Sequence, residues 1–381
     1  MNKTIAVCVE AHVTATSRIE SPIRGWTLSF HVFALEFVAI IARLVAIQLG
    51  LFGYSSNYNN LFKYAAFSQY LTIFQQFGLI ALLSSCLCLF GSPGSRRYYV
   101  STAFIFAIEM IFGILSGFKS QIVIPIIVVG FCSYAMKRRF PLWFVPAVFA
   151  SIIFAYAIIQ PFRHLRYADS SFNGKSVYSI AKTFMSTEHD DDTYPYNRLE
   201  HSMAGFLSRM SDIPSAAPGI QFAALSKHLP QGSPRFLSDI YLSPFYSLVP
   251  RVIWTSKPFD DVGGWYTKTV LGLNINSSTA MSPVTYLNFA GGWYAVAIGF
   301  FAVGVLQGGI FRGFKSYGTS STFVIIAMTY FLGRIDSVYY TFFISIIRFL
   351  PLVIVAQILI FRRTSSTLKH NIRRAEEAQA A

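Results

Sequence analysis

Eight apolar stretches constrain this chain more than anything else in it. They run Trp26–Phe52, Tyr70–Phe90, Val100–Phe118, Gln121–Met136, Pro141–Gln160, Phe289–Phe311, Thr319–Gly333 and Ser337–Phe361. A span of about 20 apolar residues crosses a bilayer as a helix, because lipid offers the backbone no hydrogen-bond partner. The seventh stretch is short and runs into Arg334-Ile335-Asp336. The pattern predicts an all-α polytopic membrane protein with about eight transmembrane helices. Composition agrees, since 54% of the 381 residues are hydrophobic and only 13% are charged. A soluble domain carries about 25% charged residues, so a soluble enzyme, a disordered chain and a fibrous protein are all excluded.

A formal net charge of +14 raises the question of a nucleic-acid partner, and the distribution of the charge answers it. Short cytoplasmic loops collect Lys and Arg. With the N-terminus inside, the inner segments hold Lys3, Arg18, Arg24, Arg96, Arg97, Lys137, Arg138, Arg139, Arg312 and Lys315, and the tail adds Arg362, Arg363, Lys369, Arg373 and Arg374. The three short outer loops hold only Lys63, Lys119 and Arg334. Both termini are therefore expected in the cytoplasm. The charge records topology, and no nucleic-acid partner is expected. Cys8, Cys86, Cys88 and Cys132 fall on the cytoplasmic side or in the inner half of a span, so no structural disulfide is expected on the exported side. Glu10 and His12 interrupt the N-terminal apolar stretch, which argues against a signal peptide there.

One loop is out of proportion. Residues 161–287 form a segment of 127 residues on the outer side, with eleven Lys/Arg against ten Asp/Glu. The chain thus divides into an N-terminal cytoplasmic segment and five-helix membrane region (1–160), a large extracytoplasmic loop with interfacial helices (161–287), three C-terminal membrane helices (288–361) and a basic cytoplasmic tail (362–381). So long a segment without secondary structure would be unusual, and short helices lying on the membrane are expected. The best-defined is 197–210: Asn197 can cap it, Glu200 completes a capping box, and Asp212-Ile213-Pro214 stops it. At 100° per residue Arg198, His201, Gly205 and Arg209 share one stripe. Two guanidinium groups and an imidazole around a glycine gap suit either a bound anion or the phosphates of the lipid surface.

The string Val249-Pro250-Arg251-Val252-Ile253-Trp254-Thr255-Ser256-Lys257-Pro258 sets each cation beside a proline, which fixes φ and lowers the entropy cost of holding it. Arg251 offers a planar fork for phosphate, Lys257 a point charge, and Trp254 an anchor or a platform for a sugar ring. Asp260-Asp261 follows directly and is a source of a general base, whereas Glu188-His189-Asp190-Asp191-Asp192 reads as a solvated turn rather than a metal cluster. Inside the spans, Glu36 and Arg43 stand seven residues apart on one helical face, Glu109 lies near the midplane and Arg348 sits on the last span. Intramembrane charges are either functional or pair to orient helices. Lys119, in the turn Ser116-Gly117-Phe118-Lys119-Ser120-Gln121, can bind a phosphate or snorkel.

Together these features resemble the Wzy-type O-antigen and exopolysaccharide repeat-unit polymerases of the bacterial inner membrane. The resemblance rests on the Gly117–Ser120 turn ahead of an apolar hairpin, the 249–258 string, and Tyr286-Leu287-Asn288-Phe289-Ala290-Gly291-Gly292 leading into the next span. It covers roughly residues 194–313, with the large outer loop in support. Relatives place an acidic residue shortly before the Asn-Phe pair, where this chain has Thr285, and they commonly have ten or more spans.

The resemblance implies a glycosyltransferase that joins undecaprenyl-diphosphate-linked oligosaccharide repeat units into a surface polysaccharide at the outer face of the inner membrane. It would need no cofactor or metal. Arg198, Arg209, Arg251 and Lys257 would stabilise the departing diphosphate, His201 or Asp261 would take the acceptor proton, and Trp254, Trp265 and Tyr266 would stack on sugars. Lys119, Arg348 and Asn288 complete the expected substrate contacts. Membrane lipids, and by family a chain-length regulator and a flippase, are the implied partners. Two other readings use similar residues: a transporter or flippase of lipid-linked sugars, and a ligase that passes the finished glycan to another acceptor.

Overall fold

The computed structural model describes residues 25–53, 60, 63–91, 95–137, 142–155, 213–226, 229–230, 232–249, 253–254, 261–273, 281–313, 319–332 and 339–360. Among them there are helices and no strands, so the chain is an all-α polytopic membrane protein. We number the helices α1 Gly25–Gln48, α2 Ala65–Gln75, α3 Phe77–Gly91, α4 Arg96–Ser116, α5 Lys119–Lys137, α6 Phe144–Ala155, α7 Ile213–Leu225, α8 Phe236–Leu248, α9 Val262–Trp265, α10 Pro283–Gly313, α11 Thr319–Leu332 and α12 Tyr339–Ile360. A single π-turn, Tyr266–Val270, continues α9.

Among the described residues six helical segments are long and apolar enough to cross a membrane: α1, α2 with α3, α4, α5, α10 and α12. The fifth and seventh expected spans correspond to α6 and α11, which are shorter within the described residues. At a rise of 1.5 Å per residue, α11 reaches only about 21 Å, less than the ~30 Å hydrocarbon core.

The bundle is built around α3. Its sequence is apolar on every side, which suits a helix surrounded by others, and Gly78–Cys88 are all buried. Against it pack α1, α4, α5, α11 and α12. The α4–α5 turn closes through Gly117, whose left-handed φ of 68° lets its N–H reach the Ile114 carbonyl. Ser116 then lies against Gly53, just beyond the end of α1.

The expected boundary between loop and membrane region falls at residue 288, yet α10 starts at Pro283 and is interrupted at Gly291-Gly292. Gly292 has φ 66° and ψ −158°, a conformation open essentially to glycine. The two arms differ. In 283–290, Thr285, Tyr286 and Leu287 are buried, whereas past the break Trp293, Tyr294, Ile298 and Phe301 are exposed, as suits a lipid-facing helix. Helices α7 and α8 pack with α10, α8 also packs with α12, and α9 meets the first arm of α10 through Trp265 and Phe289. One continuous core joins Phe236, Val262, Tyr266 and Tyr286 to residues 79–83 and 86–88 of α3 and Phe342 of α12. The described part of the long loop is therefore built into the bundle.

Candidate functional site

Phe236, the first residue of α8, is the hub of the loop layer. Its ring stacks on Phe289 at 5.1 Å and meets Tyr286 and Trp265 edge-on at 5.1 and 5.4 Å. Trp265 and Phe222 close on Phe289 from other sides, and Tyr286 continues to Tyr340 of α12 at 5.6 Å. Aromatic pairs in this geometry add about 0.5–1.5 kcal/mol each beyond their buried area. The Tyr286 hydroxyl donates to the Phe236 carbonyl at 3.0 Å, so the one polar atom of that buried ring is satisfied. Thr285 is held likewise: its N–H donates to Ser282 Oγ and its hydroxyl to the Ala216 carbonyl of α7. At this position the chain spends its side chain on joining two helices.

The start and continuation of the basic string are fastened to α8. The Val249 N–H donates to the Tyr246 carbonyl at 3.2 Å, and the Trp254 ring meets the Tyr246 ring edge-on at 5.3 Å. Both flanks of the 250–252 stretch therefore close on one residue. Gln69 of α2 donates to the Ser247 carbonyl at 3.4 Å, which ties this end of α8 to the first half of the bundle. Arg251 and Lys257 lie outside the described residues, as do Arg198, His201, Arg209 and the Glu188–Asp192 run.

The remaining expected site residues stand on several different elements. Asp261 is the N-cap of α9, its Oδ1 accepting the Gly264 N–H at 2.9 Å. A carboxylate in that position satisfies a helix-terminal donor whatever else it does. Asn288 is half-buried on the first arm of α10, four residues before Gly292. Lys119 opens α5 beside the α4–α5 turn and is half-buried. Arg348 is half-buried on α12, and its Nε is buried with no hydrogen-bond partner among the described residues. Tyr266, expected to stack on a sugar, is only 1% exposed and lies in the core, where burial pushes its phenol above the usual tyrosine range against a backbone hydrogen bond at Gly219. Trp265 is likewise committed to Phe236 and Phe289. Among the described residues no group of three His, Cys, Asp or Glu side chains is placed to hold a metal ion.

A second polar constellation lies within the bundle. Glu36 and Arg43 share a face of α1, but Arg43 pairs with Glu109 of α4: Nη1 reaches Oε1 at 2.6 Å and Nη2 reaches Oε2 at 2.9 Å. Nη2 also donates to the Gln75 carbonyl at the end of α2, and the guanidinium lies 5.0 Å from the centre of the Phe112 ring. Room for this pair comes from Gly78 of α3, where a Cβ would collide with Glu109 Oε1 and stand 2.8 Å from Arg43 Nη2. Glu36 is 2% exposed, and neither of its carboxyl oxygens has a hydrogen-bond partner among the described residues.

Sequence reasoning singled out the charges but missed the parts that hold Arg43 and Glu109, namely Gln75, Gly78 and Phe112, and it missed the aromatic hub at Phe236. A glycine in an otherwise bulky apolar helix was the available signal for Gly78. No curated protein and no solved structure matches this chain. Residues 36–369, which take in the second half of α1, α2 through α12 and the whole 161–287 loop, match the domain of unknown function DUF8712, and the chain belongs to that family.

Proposed function

We propose that this protein is a glycosyltransferase of the bacterial inner membrane that polymerises undecaprenyl-diphosphate-linked oligosaccharide repeat units. The observation that carries the reading is the fastening of the chain on both sides of Pro250-Arg251: Val249 and Trp254 both close on Tyr246, and α8 is tied to α2 and packed on α12. A string whose described ends, Val249 and Trp254, close on a helix that shares one core with the spans suits a lipid substrate whose diphosphate sits at the bilayer surface. In the reaction the acceptor hydroxyl attacks the anomeric carbon of the donor glycan. The C–O bond to the lipid diphosphate breaks as the new glycosidic bond forms, and the hydroxyl proton passes to His201 or Asp261. Arg198, Arg209, Arg251 and Lys257 stabilise the charge that develops on the diphosphate, so the step needs no metal. Lys119, Arg348 and Asn288 are the further substrate contacts. The reading puts both termini in the cytoplasm and the 161–287 loop on the outer side.

A transporter of lipid-linked sugars is the second reading, and the break in α10 at Gly291-Gly292 favours it together with Glu36, which has no hydrogen-bond partner among the described residues, since transporters use discontinuous helices and midplane charges. One experiment separates the two. Purified protein in nanodiscs is incubated with the lipid-diphosphate repeat unit and chelator, and products are resolved by length. A ladder of multimers supports the polymerase. Arg251→Ala should then abolish the ladder while the protein still accumulates in the membrane. Absence of a ladder, with substrate crossing a vesicle bilayer, gives the function to the transporter.

A further inference from the structure

Three ionisable side chains lie together in the membrane bundle, and their charges do not sum to zero if all are ionised. Arg43 contributes one positive charge, Glu36 and Glu109 one negative charge each. Glu109 has its compensation in the two-point bond with Arg43. Glu36 has none among the described residues: it is 2% exposed even without lipid around the protein, and none of them donates to either carboxyl oxygen. Arg43 and Glu109 act on it only through space. The elements packed on α1 do not supply a counter-charge. Helix α2 carries no charged side chain; α3 carries none either, its titratable groups being Cys86 and Cys88; α12 carries Arg348, with Tyr339 and Tyr340, and neither a bond nor an electrostatic contact joins Arg348 to Glu36. Besides Glu109, α4 brings Arg96, Arg97, Tyr98 and Tyr99, all at its far end. An uncompensated carboxylate in such surroundings is strongly unfavourable, and the cheapest remedy is a proton on the group itself.

We propose that Glu36 is a proton-binding site within the membrane bundle, occupied in the arrangement seen here and set beside an ion pair that responds to its loss. When Glu36 gives up its proton, Arg43 has two carboxylates to serve instead of one. Its bonds to Glu109 and to the Gln75 carbonyl loosen, and with them the joint between α1, α4 and α2. Because α2 is tied to α8 through Gln69 and Ser247, the proton at Glu36 is linked to the loop layer. This site does not depend on whether the loop polymerises or transports.

The test uses the full-length protein in nanodiscs, with no sugar substrate. Infrared spectra are recorded across pH for wild type, Glu36→Gln and Glu109→Gln. A neutral carboxyl C=O band supports the site if it is present in wild type, lost in Glu36→Gln and disappears as pH rises, doing so at lower pH in Glu109→Gln, where Arg43 has no other carboxylate to serve. Dicyclohexylcarbodiimide, which reacts with protonated carboxyl groups in apolar surroundings, serves as a second readout on wild type alone. The N-acylurea adduct should map to Glu36 and not to Glu109. Loss of the band or the adduct on adding sodium ions at fixed pH would assign Glu36 to a cation instead and overturn the proposal. So would spectra in which wild type and Glu36→Gln show the same neutral-carboxyl signal together with no adduct at Glu36.

Discussion

Gly78 and Tyr266 show how much a single position decides here. The absent side chain at Gly78 is what allows Arg43 and Glu109 to meet against α3. Gly78→Ala forces the two charged ends apart or pushes α3 outward, and overpacking of this kind costs about 1–3 kcal/mol. Glu109→Ala leaves a buried guanidinium without its partner, for which about 3–5 kcal/mol is expected. Thermal unfolding in detergent should rank wild type above Gly78→Ala and Gly78→Ala above Glu109→Ala; a Glu109→Ala protein as stable as wild type would mean that the pair holds nothing together. Tyr266 gives a pH prediction. Burial raises its phenol above the usual range, so the folded state binds the proton more tightly than the unfolded state does. Its contribution is fully present below the ordinary tyrosine pKa and is lost as pH rises through the folded value, with a slope of at most about 1.4 kcal/mol per pH unit. Tyr266→Phe should lose about 1 kcal/mol at neutral pH and show a flatter alkaline limb. Parallel alkaline limbs for the two proteins would refute this.

Among the elements, α9 carries the sharpest question, because Asp261 has a structural task and a proposed chemical one. Asn caps a helix about as well as Asp but cannot take a proton. Asp261→Asn should therefore unfold within a few tenths of a kcal/mol of wild type, while Asp261→Ala should lose about 0.5–2 kcal/mol. If Asp261→Asn also builds the polymer ladder at the wild-type rate, the base is His201. If it is stable and inactive, Asp261 holds that role. The same helix shows what the residue string could reveal. The spans α1, α3, α4, α5 and α12 are legible because length and hydropathy belong to consecutive residues. Cross-element partners are not. Glu36 and Arg43 share a face of one helix, yet the bond goes to Glu109, since the space that admits it is made by Gly78 on a third helix. Asp261 looks like a free base beside Lys257 until the following Gly263-Gly264 lets the backbone turn an N–H onto its carboxylate. Thr285 and Tyr286 read as the lead into a span, and only the Gly291-Gly292 break separates them as an arm of the loop layer.

At the scale of the whole molecule, the decisive property is that loop and bundle share one core. Phe236 and Tyr286 are completed by Phe289, just before the break in α10, and by Tyr340 of α12. On the second arm of α10, Gly299 sits so close to Leu287 that a Cβ would stand 2.7 Å from Leu287 Cδ1, and the Gly299 carbonyl accepts from the Tyr339 hydroxyl at 2.7 Å. Residues 161–287 expressed alone would lose each of these outside partners and expose the aromatic hub to water. A core opened on that side has too little enclosed apolar surface to offset the entropy of ordering the segment. The isolated segment should therefore show no cooperative thermal transition, and its amides around Phe236 should exchange with solvent far faster than in the intact protein. A cooperative transition with native-like protection would instead make the loop an independent domain. That outcome would also weaken the functional proposal, which needs the basic string held in fixed register with the spans that carry the lipid.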